Sequence, residues 1–288
     1  MKGIKTLITL ALLSLSAASA MAGSKVVTDT IHSKILNAPR AYTVYLPESF
    51  DRQPDRRFPV LYLLHGMYGI NEDWTGQGNL KIVADRLMKS GEAEEMVIVT
   101  PDAGGYDPSR QQNGYFDIPG WNYEQFFFQE FMPEIEKRYR VKGDRDNRAI
   151  AGLSMGGGGC TSYAQRHPDL FSSAYAMSAL MSLDESLRQP VDDPEGKIAA
   201  LWRSAVEKSC TAYVEQADAK RVDDLKKIRW YVDCGDDDFL FDVNTGFYAA
   251  MRAKGIPCEF RVRDGGHDWE YWHTALYTLL PFVSKTFK

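Results

Sequence analysis

Three groups of residues stand out as able to do chemistry: a serine set among glycines, a run of three aspartates, and a histidine behind two glycines. Ser154 stands in Gly152-Leu153-Ser154-Met155-Gly156-Gly157, after the strand-like run Arg148-Ala149-Ile150-Ala151 and before a small-residue segment that reads as a helix start. Strand, tight turn and helix are the setting of a nucleophile elbow. A turn this sharp strains the serine's dihedrals, and side chains at 152 or 156 would collide with the neighbouring strand and helix. It lifts the hydroxyl clear of the sheet and aims the Met155 N–H at a nearby anion. A serine hydroxyl is a poor nucleophile at neutral pH. It needs a base within hydrogen-bond reach, and the base needs a carboxylate to hold its tautomer.

The other two members follow in the order Ser, Asp, His. His267 is the best base among the five histidines, because Gly265-Gly266 lets its loop bend back toward the elbow. His32 precedes the core, His167 suits a capping role beside Pro168, and His273 falls inside a closing helix. Asp236, Asp237 and Asp238 follow the strand that ends at Cys234-Gly235. Asp238 is favoured as the acid because Phe239-Leu240 beside it predicts an inward-facing position; its neighbours read as solvated or helix-capping. An oxyanion hole requires two backbone donors. Met155 offers one, and the loop His65-Gly66-Met67-Tyr68-Gly69 offers the other, from Met67 or else Tyr68. His65 reads as an architectural hydrogen-bonding residue there.

The elements that must position these groups alternate along the chain. Strands are predicted over 25–36, 40–46, 58–64, 96–100, 147–154, 171–179, 228–234 and 258–263, with helices over 79–89, 156–167, 243–254 and 269–287. Asn122 with Gln125 resembles a capping box ahead of a helix whose Phe127, Phe131, Ile135 and Tyr139 recur on one face. The charged stretch 182–226 reads as a helical insertion before the acid-bearing strand. The alternation implies an α/β fold with a mostly parallel central sheet and helices on both faces. In such sheets ligands sit at the carboxyl ends of the strands, where every candidate above falls. A long loop over 102–121 carries aromatics near the expected mouth. Tyr106, Tyr115 and Trp121, with Trp269, are candidates to contact a substrate.

Composition bounds the partners and the compartment. The chain has 34 basic and 39 acidic residues, a net charge of −5, which argues against nucleic acid and anionic membranes as partners. Lys2 and Lys5, an apolar stretch over 7–15 and the small-x-small Ala20-Met21-Ala22 read as a signal peptide over 1–22. A secreted or periplasmic domain over 23–288 is expected to follow. Cys160, Cys210, Cys234 and Cys258 are too scattered for a disulfide scaffold. Buried thiols suit Cys160 and Cys234, and pairing is left open. No C-x-x-C or H-E-x-x-H pattern points to zinc, and no metal is expected.

His65-Gly66-Met67-Tyr68-Gly69, the Ser154 elbow, Cys234-Gly235 with Asp238, and Gly265-Gly266-His267-Asp268-Trp269 together resemble the putative-esterase family. That family includes feruloyl esterases, acetyl xylan esterases, S-formylglutathione hydrolases, enterochelin esterases and mycolyltransferases. The similarity spans about residues 25–285. With the Asn71-Glu72-Asp73-Trp74 turn, it points most to the feruloyl esterases of carbohydrate esterase family one. The resemblance implies the α/β-hydrolase fold, Ser154 as nucleophile, Asp238 as acid, His267 as base, Met67 and Met155 as oxyanion donors, and no cofactor. It implies release of hydroxycinnamates from plant cell-wall xylan. Alternatives are acetyl release from xylan, or, in a different class, carbohydrate binding without turnover.

Overall fold

The computed structural model describes residues 23–104, 114–183 and 193–288. Ten strands are present among them: β1 Lys25–Ser33, β2 Ala38–Leu46, β3 Val60–Leu64, β4 Val97–Pro101, the two-residue pair β5 Asp117–Ile118 and β6 Trp121–Asn122, β7 Arg148–Leu153, β8 Ser173–Met177, β9 Arg229–Gly235 and β10 Cys258–Arg263. Eight form one sheet in the order β1-β2-β4-β3-β7-β8-β9-β10. The pairs β1–β2 and β2–β4 are antiparallel; every pair from β4 to β10 is parallel. The carboxyl ends of β3, β7, β8, β9 and β10 therefore share one edge. The order folds back around β3 and β7, and the elbow opens at that reversal.

The central strands β3, β4, β7 and β8 are buried along their whole length, as a sheet covered on both faces requires. Alternation then sorts their side chains. Tyr62, Leu64 and Ile150 join one apolar cluster with Phe127, Phe131 and Tyr163. Leu61, Leu63, Ala149 and Ala151 join a second with Leu87, Leu276 and Leu279. The first face is covered by the elbow's helix Ser154–Arg166 and the helix Phe241–Ala253, the second by the helices Leu80–Ser90 and Trp269–Ser284. Arg148 enters the buried strand β7 because Glu136 meets its guanidinium at 2.7 Å.

Several local expectations need correction. Asn122 makes no side-chain cap; Asp117 instead accepts the Gln125 N–H at 3.2 Å and its side-chain amide at 3.0 Å. The short β5–β6 hairpin brings Asp117 to that helix end, which single-residue spacing could not reveal. The aromatic stripe is buried, but its helix widens to a π turn over Phe127–Phe131, and Tyr139 lies just past its end. The 182–226 stretch contains three separate helices, Lys197–Glu207, Cys210–Glu215 and Ala219–Lys226; its part over 184–192 is outside the described residues. All four cysteines are free thiols. Burial raises the Cys210 thiol to about 12.

Candidate active site

The elbow takes the strained form its sequence calls for. Ser154 has a φ of 53°, a left-handed conformation that costs a side-chain-bearing residue about 1–2 kcal/mol. A Cβ on Gly152 would stand 2.3 Å from the Gly156 carbonyl oxygen, and one on Gly156 would stand 2.4 Å from the His65 carbonyl oxygen. Glycine is the only residue that lets strand, turn and helix come so close.

Ser154, His267 and Asp238 meet above this edge of the sheet. His267 Nε2 lies 2.9 Å from Ser154 Oγ, and His267 Nδ1 lies 3.0 and 2.9 Å from the two Asp238 carboxylate oxygens. With Nδ1–H donating to the carboxylate, Nε2 presents its lone pair to the serine hydroxyl. The imidazole is held on both sides: the Phe239 ring is 4.5 Å away, and Trp272 meets it edge-on at 4.9 Å.

Burial separates the three adjacent acids. Asp236 and Asp237 are exposed, whereas the Asp238 side chain is 0 % exposed. Asp238 also accepts the Leu240 N–H at 2.8 Å. Burial works to raise its pKa, but the hydrogen bonds from His267 and Leu240 work against it, and the carboxyl is held below its ordinary range. Asp236 accepts the Gly265 N–H at 3.2 Å, and the Asp237 N–H donates to the Gly265 carbonyl at 3.1 Å. These two acids thus tie the His267 loop to the acid loop. Asp236, Asp237 and Asp264 bring carboxylate oxygens within 4.8 Å of one another, but all three are solvated, and Asp236 is already engaged with the backbone.

The loop after β3 is fixed from below. Buried His65 lies 2.7 Å through Nδ1 from the Gly66 carbonyl, and its Nε2 accepts the Ala103 N–H at 3.0 Å. Burial lowers its pKa, so a neutral ring suits both bonds. Asp73 accepts the Ile70 N–H at 2.9 Å. Met67 and Met155 both line the cleft beside Ser154. The Met155 N–H belongs to the first turn of its helix, which has no carbonyl of its own helix to satisfy it.

The cleft has a volume of about 320 Å³, the lower end of the range typical of small-molecule sites. Its remaining walls include Leu183, Trp202, Phe239, Trp269 and Trp272. Trp269 is therefore at the cleft. Tyr115 is not: its ring is 1 % exposed, its hydroxyl donates to the His65 carbonyl at 3.0 Å, and its side chain lies on Gly159 beneath the elbow helix. Trp121 is also absent from the lining, with the Arg40 guanidinium over its ring at 5.3 Å. Both were placed at the mouth because their loop follows a strand's carboxyl end, yet the loop turns them into the first core face. Tyr106 lies outside the described residues. His167 faces Glu124 and packs on Phe128 at 4.0 Å, and His273 meets the Gly78 carbonyl at 2.8 Å; neither approaches Ser154.

Sequence reasoning passed over Ser178, Trp202 and Trp272, and used Phe239 only as a neighbour of the acid. A polar residue at the carboxyl end of the strand beside the elbow was a usable signal for Ser178. The others show no pattern until the helices are placed.

The family described as "Putative esterase" matches residues 33–283. A solved ferulic acid esterase is 62 % identical and superposes with a TM-score of 0.90, covering 92 % of this chain and 99 % of that one. An endo-1,4-beta-xylanase/feruloyl esterase of Xylanibacter ruminicola is 30 % identical over 261 residues, 89 % of this chain but 31 % of that protein. The chain thus spans about a third of that relative's length. An acetyl esterase of Caldicellulosiruptor saccharolyticus is 22 % identical over 88 % of this chain and 96 % of its own length. The chain belongs to the putative esterase family and is a carboxylic ester hydrolase of the α/β-hydrolase fold.

Proposed function

We propose that this chain is an exported feruloyl esterase that frees hydroxycinnamic acids from plant cell-wall polysaccharide by a serine acyl-enzyme route. In this reading residues 1–22 are removed on export and 23–288 act as one catalytic domain without metal or organic cofactor. No described helix is long and apolar enough to cross a membrane.

The observation that carries the mechanism is the unbroken chain from Ser154 Oγ to His267 at 2.9 Å and from His267 to Asp238 at 2.9 Å. Ser154 Oγ attacks the ester carbonyl carbon while its proton passes to His267 Nε2. The carbonyl oxygen becomes an alkoxide and accepts from the Met67 and Met155 N–H groups. Asp238 stabilises the imidazolium. Collapse breaks the carbon–oxygen bond, and His267 returns the proton to the departing sugar hydroxyl. Water then attacks the acyl-serine with His267 as base, releasing the acid and restoring Ser154.

The acyl choice is supported by the 62 % identical ferulic acid esterase and by the cleft itself. Indoles of Trp202, Trp269 and Trp272 line about 320 Å³, space and aromatic surface that an acetyl group leaves unused and a cinnamoyl group fills. Hydrolysis of methyl ferulate, lost in Ser154→Ala, is the expected result. Release of acetate but no ferulate from arabinoxylan would favour the acetyl alternative, and saturable xylan binding with no turnover of any ester would refute the reading.

A further inference from the structure

Among the aromatic rings that line the cleft, two stand out in solvent: Phe239 is 67 % exposed and Tyr68 45 %, whereas Trp272 is buried. A single exposed phenyl elsewhere on a surface needs no explanation. Phe239 instead stands at the reaction centre, its ring 4.5 Å from the His267 imidazole and tilted 49° to it. The chain beneath it is pinned. The Asp238 N–H donates to the Gly235 carbonyl at 3.3 Å, the Asp238 carbonyl accepts the Phe241 N–H at 2.8 Å, and the Asp238 carboxylate accepts the Leu240 N–H at 2.8 Å. Leu240 is buried, so this short turn holds an apolar ring out in water on a fixed backbone.

The course of the reaction says what that ring faces. When the tetrahedral intermediate collapses, the electron pair of the breaking carbon–oxygen bond goes to the alcohol oxygen, which takes the proton from His267 Nε2. That oxygen must come within hydrogen-bond reach of Nε2, so the group it carries leaves on the imidazole's side of the cleft. We infer that Phe239 is a docking platform for the alcohol half of the ester: the sugar that bears the acyl group stacks on its exposed face. This rests on the proposed feruloyl esterase activity and the proposed roles of Ser154 and His267. A sugar suits such a site because C–H bonds gathered on one face of its ring meet the electron-rich face of the phenyl, while its hydroxyls stay in water. A closed pocket would strip those hydroxyls of water without replacing every hydrogen bond. The fixed turn under Phe239 means that little is lost in ordering the platform when sugar arrives.

The test compares kcat/KM for a feruloylated arabinoxylo-oligosaccharide with kcat/KM for methyl ferulate, which carries the same acyl group and no sugar. A loss that comes only from disturbed packing on His267 lowers both and cancels in the ratio. The wild type is expected to favour the oligosaccharide by about 10-fold, and Phe239→Ala to cut that preference by about 5-fold, through KM for the oligosaccharide. Phe239→Leu keeps apolar bulk beside the imidazole but no aromatic face, and is expected to lose the preference likewise. Phe239→Trp keeps a face and is expected to retain it. Ile82→Ala, at a site as exposed as Phe239 but outside the cleft, is expected to leave the ratio at the wild-type value. A ratio unmoved in Phe239→Ala and Phe239→Leu, or lost equally in Phe239→Trp, overturns the platform. An unmoved ratio together with loss of a concentration-dependent dimer in Phe239→Ala, read by sedimentation, also overturns it and gives the ring to a second copy of this chain. A wild type that hydrolyses neither ester would sink the feruloyl esterase reading itself. An active wild type with no preference for the sugar ester overturns the platform alone.

Discussion

Two parts of one cleft are built on opposite terms. Around the triad the polar atoms are committed: Ser154 Oγ to His267, both imidazole nitrogens to partners, and Asp238 to His267 and Leu240. The part that follows β8 is apolar where Leu180 and Leu183 line it. The Trp202 indole N–H there is buried with no hydrogen-bond partner among the described residues. In the proposed mechanism the first region must hold one geometry, because proton transfer fails when its atoms drift by a fraction of an ångström. The second need only present shape, so differences among relatives can accumulate there without touching the chemistry.

That contrast is broken most severely at the triad. Ser154→Ala is expected to lower kcat by about 10⁴-fold or more, and Asp238→Asn by about 10³–10⁴-fold with KM little changed; both are measured on methyl ferulate. Retention of more than a tenth of the activity in either variant contradicts their proposed roles. Trp202→Ala, in the other region, should act selectively. Its kcat/KM for methyl ferulate is expected to fall about 5–20-fold and that for p-nitrophenyl acetate by no more than about twofold. An equal loss on both esters would place Trp202 in the fixed machinery instead.

Smaller effects sharpen the comparison. The Asp238 carboxyl sits below its ordinary range in the folded protein. Its ionisation therefore adds stability that is complete above about pH 4 and is lost as pH falls through the folded value. The melting-temperature gap between wild type and Asp238→Asn should accordingly narrow from pH 6 to pH 3, and a gap constant with pH would show that the carboxylate's charge is not stabilised. Tyr115→Phe removes the hydroxyl that donates to the His65 carbonyl. It should cost about 1–2 kcal/mol by denaturant unfolding, with kcat/KM changed only a few-fold. A near-complete loss of turnover would make Tyr115 part of the reaction centre after all.

How far the molecule could be read without coordinates follows the range of each interaction. Ser154 was legible because the elbow's steric demand writes glycines at 152 and 156 into adjacent sequence. The alternation of strands and helices was legible for the same reason: buried parallel strands appear as short apolar runs, such as Val60–Leu64. Asp238 was separated from Asp236 and Asp237 by its apolar neighbours, of which Leu240 is buried and shares its burial while Phe239 is 67 % exposed. Tyr115 and Trp121 were misplaced because an aromatic residue after a strand looks the same in sequence whether it lines a mouth or fills a core. The Asn122 cap failed because the competing acceptor, Asp117, arrives through a hairpin. Ser178 and Trp272 could not be paired at all: their contact joins residues 94 positions apart, and only the placed helix Trp269–Ser284 brings them together.

The most direct test is to quench wild-type protein early in turnover of a feruloyl ester and locate the adduct by peptide mass spectrometry. A feruloyl group is expected on Ser154, appearing before free ferulate accumulates and absent in Ser154→Ala. Turnover with no acyl adduct at Ser154, or an adduct on another residue, would contradict the serine acyl-enzyme mechanism.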